Sequence, residues 1–158
     1  MNVIQTEIHN GSLDELLPNA SPGLLFLKEF LTRYDSLGPF IKDATPELER
    51  LCSADTFFEV NNEKVPASQK IGMIKVRAQS GGVSRIVRSI VQSKDNLLAN
   101  NCRMVSFETV TTTIFQNDPP GVSVTAKEIN FLTIEPCTDP LRSFKGYRIF
   151  GMITTRLP

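Results

Sequence analysis

Two long stretches of the chain, residues 102–115 and 122–134, alternate in polarity on either side of the turn-forming run Asn117-Asp118-Pro119-Pro120-Gly121. Alternation with a period of two marks a strand with one buried face, and a Pro/Gly break between two such runs reads as a hairpin. In the second stretch the even positions are Val122, Val124, Ala126, Glu128, Asn130, Leu132 and Ile134. The odd ones are Ser123, Thr125, Lys127, Ile129, Phe131 and Thr133, so the even face is expected to look inward. With residue 116 opposite 122, Glu108 faces Asn130 and Val110 faces Glu128, which gathers two carboxyls and an amide on an apolar stripe. A slip of one residue sends one strand's set to the other face, so this register is the assumption on which the grouping rests.

An ionised carboxyl is costly to bury alone, and acids within an apolar stripe therefore predict a cavity where a polar ligand or water meets them. The structural alternative is that each acid has an Arg or Lys partner across the sheet, or sits at a dimer contact. Arg77, Arg85, Arg88 and Arg103 are the cations to consider. They form a solvated charged face, line an anion-binding pocket, or pair with those acids.

Upstream, the pattern turns helical. Pro18-Asn19-Ala20-Ser21-Pro22 announces a helix start, with Ser21 as cap and Pro22 in the first turn. Leu24, Leu27, Leu31 and Tyr34 then recur at helical spacing to about residue 37, placing the Tyr34 phenol on the inner face near the helix end, where its hydroxyl needs a partner. A second short helix is expected after Thr45-Pro46, a strand over residues 56–60 ending at Asn61-Asn62, and a third helix over 68–80 carrying Ile71, Ile74 and Ala78 on one stripe and closed by Gly81-Gly82. Residues 84–93 are rich in Ile and Val but alternate less cleanly, residues 97–101 make a turn, and residues 147–155 form the last strand. Helices first and strands afterwards give an α+β domain, with helices on one side of an antiparallel sheet. Residues 1–20 show no sustained period and are expected as an N-terminal arm before a single domain over 21–158.

Bulk composition narrows the chemistry. A chain of 158 residues with 41% hydrophobic content can bury a core of its own, and 17 basic against 17 acidic residues leave no net charge, which disfavours a nucleic-acid partner. No apolar run approaches the roughly 20 residues of a membrane span, and residues 1–17 lack the apolar centre of a signal peptide, so no membrane insertion and a cytoplasmic setting are expected. Cys52, Cys102 and Cys137 are too widely spaced for a disulfide framework or a zinc pair. His9 is the only histidine, expected in a loose segment, so neither a His-based metal site nor a Ser-His or Cys-His triad is available. Gly81-Gly82 has no preceding strand and no Lys-Ser or Lys-Thr after it, unlike a phosphate-binding loop. Carboxylates, Tyr, Asn, Arg and Lys remain to do any chemistry.

Four segments carry a family resemblance: Phe30-Leu31-Thr32-Arg33-Tyr34-Asp35, Cys52-Ser53-Ala54-Asp55-Thr56-Phe57-Phe58, Arg103-Met104-Val105-Ser106-Phe107-Glu108-Thr109 and Lys127-Glu128-Ile129-Asn130-Phe131. Their order and spacing over residues 24–157 resemble the nuclear transport factor 2-like, or SnoaL-like, superfamily, and look most like its small fungal biosynthetic isomerase and cyclase members. The resemblance implies a cone-shaped α+β barrel, with N-terminal helices packed on a strongly curved antiparallel sheet, and often a homodimer through the outer sheet face. Enzymes of the family carry out cofactor-free acid and base chemistry, whereas other members only bind. The histidines on which the family's dehydratases rely are missing here.

Two readings follow. In the first, the chain is a cofactor-independent isomerase or cyclase, or a lyase, that acts on an apolar, natural-product-like small molecule of secondary metabolism, with no metal. Glu128 or Glu108 is its general acid or base, Asn130 orients a carbonyl or carboxyl, and Tyr34 donates a hydrogen bond. Phe58, Met73, Val110, Thr112, Leu132 and Phe150 are the expected substrate-binding residues. In the second, the domain is a non-catalytic ligand-binding or protein-interaction module. Glu108, Glu128 and Asn130 then bond structurally, and Thr109, Thr111 and Thr113 help form an outer face for a partner.

Overall fold

The computed structural model describes residues 6–35, 45–93, 101–115 and 122–158. A strand β1 (Thr6–His9) and a 3-10 turn over Leu13–Glu15 precede helix α1 (Pro22–Asp35) and helix α2 (Thr45–Glu49). Strands β2 (Cys52–Val60) and β3 (Glu63–Pro66), helix α3 (Ala67–Ser80) and strands β4 (Gly81–Ser93), β5 (Arg103–Phe115), β6 (Ser123–Pro136) and β7 (Tyr147–Arg156) complete the described elements. The strands form one curved sheet in the order β1-β4-β5-β6-β7-β2-β3.

Helix α1 begins where Ser21 and Pro22 predict, and Leu25 N–H closes its first turn on the Ser21 carbonyl at 3.1 Å. Its apolar stripe (Leu24, Leu27, Phe30, Leu31, Tyr34) is buried over β4 and β5. Each such side chain contributes about 1.5–3 kcal/mol by leaving water, and truncating Phe30 to Ala costs about 3–5 kcal/mol. Gly23 lets the first turn approach the sheet: a Cβ there would strike the Gln92 carboxamide and come within 2.8 Å of a Val105 methyl. Helix α3 buries Ile71 and Ile74, as their spacing predicts; the side chains of Arg77 and Ala78 lie outside the described residues.

Apart from its hairpin register, the sheet departs from expectation in four ways. It is mixed rather than wholly antiparallel, because β2 runs parallel to β7, from Cys52 opposite Ile149 to Val60 opposite Thr154. That pairing joins segments about 90 residues apart, and local pattern does not encode it. β2 then turns back into the unpredicted β3 through Asn61 and Asn62, whose φ values of 49° and 70° suit a tight hairpin. Within the expected arm, Thr6–His9 pairs antiparallel with β4, so His9 lies in an edge strand, its Nε2 2.8 Å from the Ser12 carbonyl oxygen. Four residues are too few to display a period. Finally, Gly81 and Gly82 do not lie between elements. They are the first residues of β4, opposite Phe115 and Ile114.

The hairpin register carries the largest correction. The turn at residues 117–121 lies outside the described residues, but the ladder is clear: Phe107 is opposite Asn130, Glu108 opposite Ile129 and Thr109 opposite Glu128, one residue away from the expected pairing. The β5 residues that face inward are therefore Val105, Phe107, Thr109, Thr111 and Thr113, all buried. The threonines expected on an outer docking face are inside, and Glu108 and Val110 are outside. Burying Val105 and Phe107 under α1 removes more apolar surface than Glu108 and Val110 offer, and Thr tolerates a half-apolar interior when its hydroxyl is bonded. In β4 a bulge between Arg88 and Val91, with Ser89 at φ 55°, switches the inward set from odd to even positions, so that Ile90 and Gln92 are fully buried. This bulge is why the alternation over residues 84–93 reads poorly.

Candidate functional site

The inward face of β5, β6 and β7 meets the last turn of α1 and the first turn of α3 in a cleft of about 420 Å³, open mouth included. Two successive rungs of the ladder build its floor. One holds Phe107, Asn130 and Thr154, and the next holds Thr109, Glu128 and Arg156. Phe30, Leu31, Phe107 and Met152 form the apolar wall, and Tyr34, Lys70 and Arg85 complete the polar lining.

Asn130 is buried, and its amide is committed to the protein. Nδ2 donates to the Phe107 carbonyl at 3.3 Å and to Thr109 Oγ1 at 3.0 Å, while Oδ1 accepts from Thr154 Oγ1 at 2.8 Å. Both amide hydrogens are thereby used, so Asn130 positions the floor instead of offering a donor to a ligand. Glu128 Oε2 accepts from Arg156 Nε at 3.2 Å; the Glu128 side chain is 15% exposed and that of Arg156 47%. Arg85 Nε donates to Thr111 Oγ1 at 3.3 Å, and its guanidinium lies 4.6 Å from the centre of the Tyr34 ring. Such a cation over an aromatic face contributes about 0.5–1 kcal/mol and fixes the ring's position. Tyr34 also packs on Phe30 at 5.6 Å, and its hydroxyl makes no hydrogen bond among the described residues.

Tyr34, Glu128 and Asn130 thus meet in one place, as the pattern predicts, and Glu108 does not join them. On the opposite face of the sheet, Glu108 Oε1 accepts from Arg88 Nη2 at 2.8 Å and lies 3.5 Å from Lys127 Nζ. The Arg88 hydrogen bond holds the Glu108 carboxyl below the usual carboxylate range, against an upward push from desolvation, and the charges of Arg88 and Lys127 lower it further. This is the structural alternative named from the sequence, a carboxylate with basic partners across the sheet.

The six expected substrate-binding residues fall outside the cleft lining. Val110 and Thr112 follow the register to the outer face, where Thr112 Oγ1 lies 3.2 Å from Thr125 Oγ1. Phe150 sits at a bulge in β7, 45% exposed and edge-on to Phe57. Met73 is 55% exposed because Ile71 and Ile74 occupy the inward stripe of α3. Phe58 and Leu132 do face inward, each opposite Met152 in the ladder, but they are sealed in the core. Arg156, Thr154 and Met152 escaped prediction because the β7 bulge shifts that strand's parity, and Lys70 because a helical lysine ordinarily reads as solvated.

Among the described residues no three His, Cys, Asp or Glu side chains gather as metal ligands would, and no helix is long and apolar enough to cross a membrane. Cys52 lies away from the cleft, with burial foremost and the Glu49 charge next pushing its thiol up to about 12. Such a thiol is a weak nucleophile.

No protein-family description matches the chain, and no curated protein matches it in sequence. Solved structures do match its shape. An NTF2-like protein of unknown function in nutrient uptake from Rhodospirillum rubrum superposes with a TM-score of 0.62 at 15% identity, over 85% of this chain and 98% of that one. Aln2 from a Streptomyces species gives 0.60 at 11% identity, over 87% and 93%. A ketosteroid isomerase-like protein from Erwinia carotovora atroseptica gives 0.54 at 11% identity, over 84% and 91%. At these identities the shared property is the fold: the chain has the NTF2-like α+β architecture, in which both enzymes and binding modules are built.

Proposed function

We propose that this protein is a cofactor-independent isomerase or cyclase acting on an apolar, natural-product-like small molecule of secondary metabolism, in the cytoplasm. The observation that carries the reading is the meeting of Glu128 and a Tyr34 hydroxyl that makes no hydrogen bond among the described residues, over one apolar-walled cleft, on a floor fixed by Asn130. Glu128 is the acid–base group, Tyr34 polarises a carbonyl by donating to it, and the Asn130 network positions both strands. A positioned acid or base contributes roughly 10²- to 10⁴-fold, and a single well-aimed hydrogen bond serves a shape-driven cyclisation equally well. The likeness to fungal biosynthetic members rests on the sequence resemblance alone.

A second reading has its own support. Glu128 already has a guanidinium partner and Asn130 is saturated, as in a pocket that binds without turnover. The outer face also carries Phe131 opposite Ile153, with Ile129 nearby, each 38–41% exposed, which is the patch through which we propose a second copy docks to form a homodimer. To separate the readings, metabolite extract is incubated with wild type, Glu128→Gln and Tyr34→Phe, and products of unchanged mass but altered retention are followed by liquid chromatography–mass spectrometry. Conversion by wild type that drops at least about 100-fold in Glu128→Gln is the result expected of acid–base catalysis. Equal conversion by wild type and Glu128→Gln rejects the acid–base role, and absence of conversion in every sample favours the binding module.

A further inference from the structure

The described residues lining the cleft carry three cations, Lys70, Arg85 and Arg156, and one anion, Glu128. The Arg156–Glu128 ion pair is internally balanced, which leaves Lys70 and Arg85 as a net positive charge among the described lining residues. Lys70 is half-buried and makes no ion pair or hydrogen bond among the described residues. It also stands in the first turn of the 14-residue helix α3, a turn that contains no acid. A cation there meets the positive end of the helix dipole, so this placement opposes local stability, and rules broken in this way tend to mark functional positions. Arg85 is the second cation; a guanidinium has five N–H donors, so it keeps its bond to Thr111 and its other contacts while donating to a ligand.

Resting on the small-molecule reading above, we propose that the cleft takes a molecule with an apolar body and one carboxylate, the carboxylate held by Lys70 and Arg85 and the body by Phe30, Leu31, Phe107 and Met152. The chemistry fits the layout. A carboxylate supplies a countercharge for Lys70, its two oxygens match a guanidinium fork, and like charge keeps it off Glu128. With the acid group held, the body's position over the floor is fixed as well, so one anchoring contact sets which carbon faces Glu128. A neutral molecule of the same shape lacks that anchor.

The test uses the full chain and a matched pair of probes, 4-phenylbutanoate and 4-phenylbutanamide, titrated by calorimetry at low ionic strength. The acid is expected to bind at least about ten-fold tighter than the amide, equivalent to about 1.4 kcal/mol, with the preference shrinking as salt is raised. It disappears in Lys70→Met and survives in Lys70→Arg. Equal affinity for the two probes, no binding of either, or a preference that persists in Lys70→Met overturns the proposal. Its failure is distinguishable from failure of the acid–base reading. Acid preference with turnover indifferent to Glu128→Gln rejects only that reading, whereas turnover that needs Glu128 on a protein blind to the probe's charge rejects only the anchor.

Discussion

Replacing Asn130 with Asp changes one NH2 into oxygen at constant shape, and so isolates what the amide does. Asn130 is 4% exposed, and both its Nδ2 bonds, to the Phe107 carbonyl at 3.3 Å and Thr109 Oγ1 at 3.0 Å, require a donor. An ionised Asp faces the Phe107 carbonyl with a second acceptor, forfeiting about 1 kcal/mol of hydrogen bonding, and its charge is buried while the cation one rung away, Arg156, is engaged by Glu128. An uncompensated buried charge brings the total to about 3–5 kcal/mol at pH 7. The sign with pH follows from linkage. Burial raises the new carboxyl above its unfolded value of about 3.9, so the destabilisation is absent where the group is protonated in both states and grows as pH rises towards the folded-state value. A protonated Asp again donates to the Phe107 carbonyl. Urea unfolding should show the gap from wild type narrowing between pH 7 and pH 4, whereas Asn130→Leu should lose about 1–3 kcal/mol at every pH, by stranding the Thr109 and Thr154 hydroxyls. A loss below about 1 kcal/mol in Asn130→Asp, unchanged with pH, would refute the buried network.

Gln92 is fully buried with neither amide atom bonded among the described residues, so Gln92→Met, of similar length, should raise stability by about 1–3 kcal/mol in thermal unfolding; a lower melting temperature contradicts the assignment. Because Glu108 has its carboxyl lowered chiefly by the Arg88 hydrogen bond, it stabilises the fold above its unfolded value and loses that contribution as pH falls through the folded one. Glu108→Gln should therefore flatten the acid limb of the stability–pH curve while leaving turnover unchanged; a fall in turnover would place Glu108 in the chemistry after all.

How much of this was legible in the sequence depended on whether a feature is local. Helix α1 was readable because Ser21-Pro22 and a Leu24-Leu27-Leu31-Tyr34 stripe agree, and β6 because only its even positions combine Leu132 and Ile134 with Val122 and Val124. Strand β5 was ambiguous: its even positions offer Met104, Val110 and Ile114, its odd ones Val105 and Phe107 among threonines, and hydropathy alone does not rank them. The ranking comes from α1, whose Phe30 and Leu31 need large partners beneath them. Bulges hid the rest. Ser89 in β4 and Phe150 in β7 each displace the parity of the residues beyond, so Gln92, Met152, Thr154 and Arg156 carry no readable face. The site was half visible: Tyr34, Glu128 and Asn130 lie on elements with clean periods, whereas Arg156 lies beyond the β7 bulge, Arg85 on a strand whose broken alternation left its solvated and pocket-lining readings open, and Lys70 on a helix where a lysine ordinarily reads as solvated.

The one-residue shift between β5 and β6 also decides which chemistry the cleft can support. With Glu108 opposite Asn130, two carboxyls would share the cavity and divide the work of acid and base between them. With Phe107 there instead, Glu128 is the single acid among the described lining residues, held at 3.2 Å from Arg156. A lone carboxylate that accepts a proton must also return it, which suits a shift of hydrogen within one molecule better than a hydrolysis needing separate acid and base. In the proposed mechanism, the apolar wall of Phe30, Phe107 and Met152 limits that proton's exchange with water, and the Tyr34 hydroxyl donates to a substrate carbonyl and stabilises the enolate between the two transfers. On the proposed reading, then, conversion in deuterated water should incorporate less than one deuterium per turnover. Full incorporation at the migrating position would mean that solvent, and not Glu128 alone, supplies the proton.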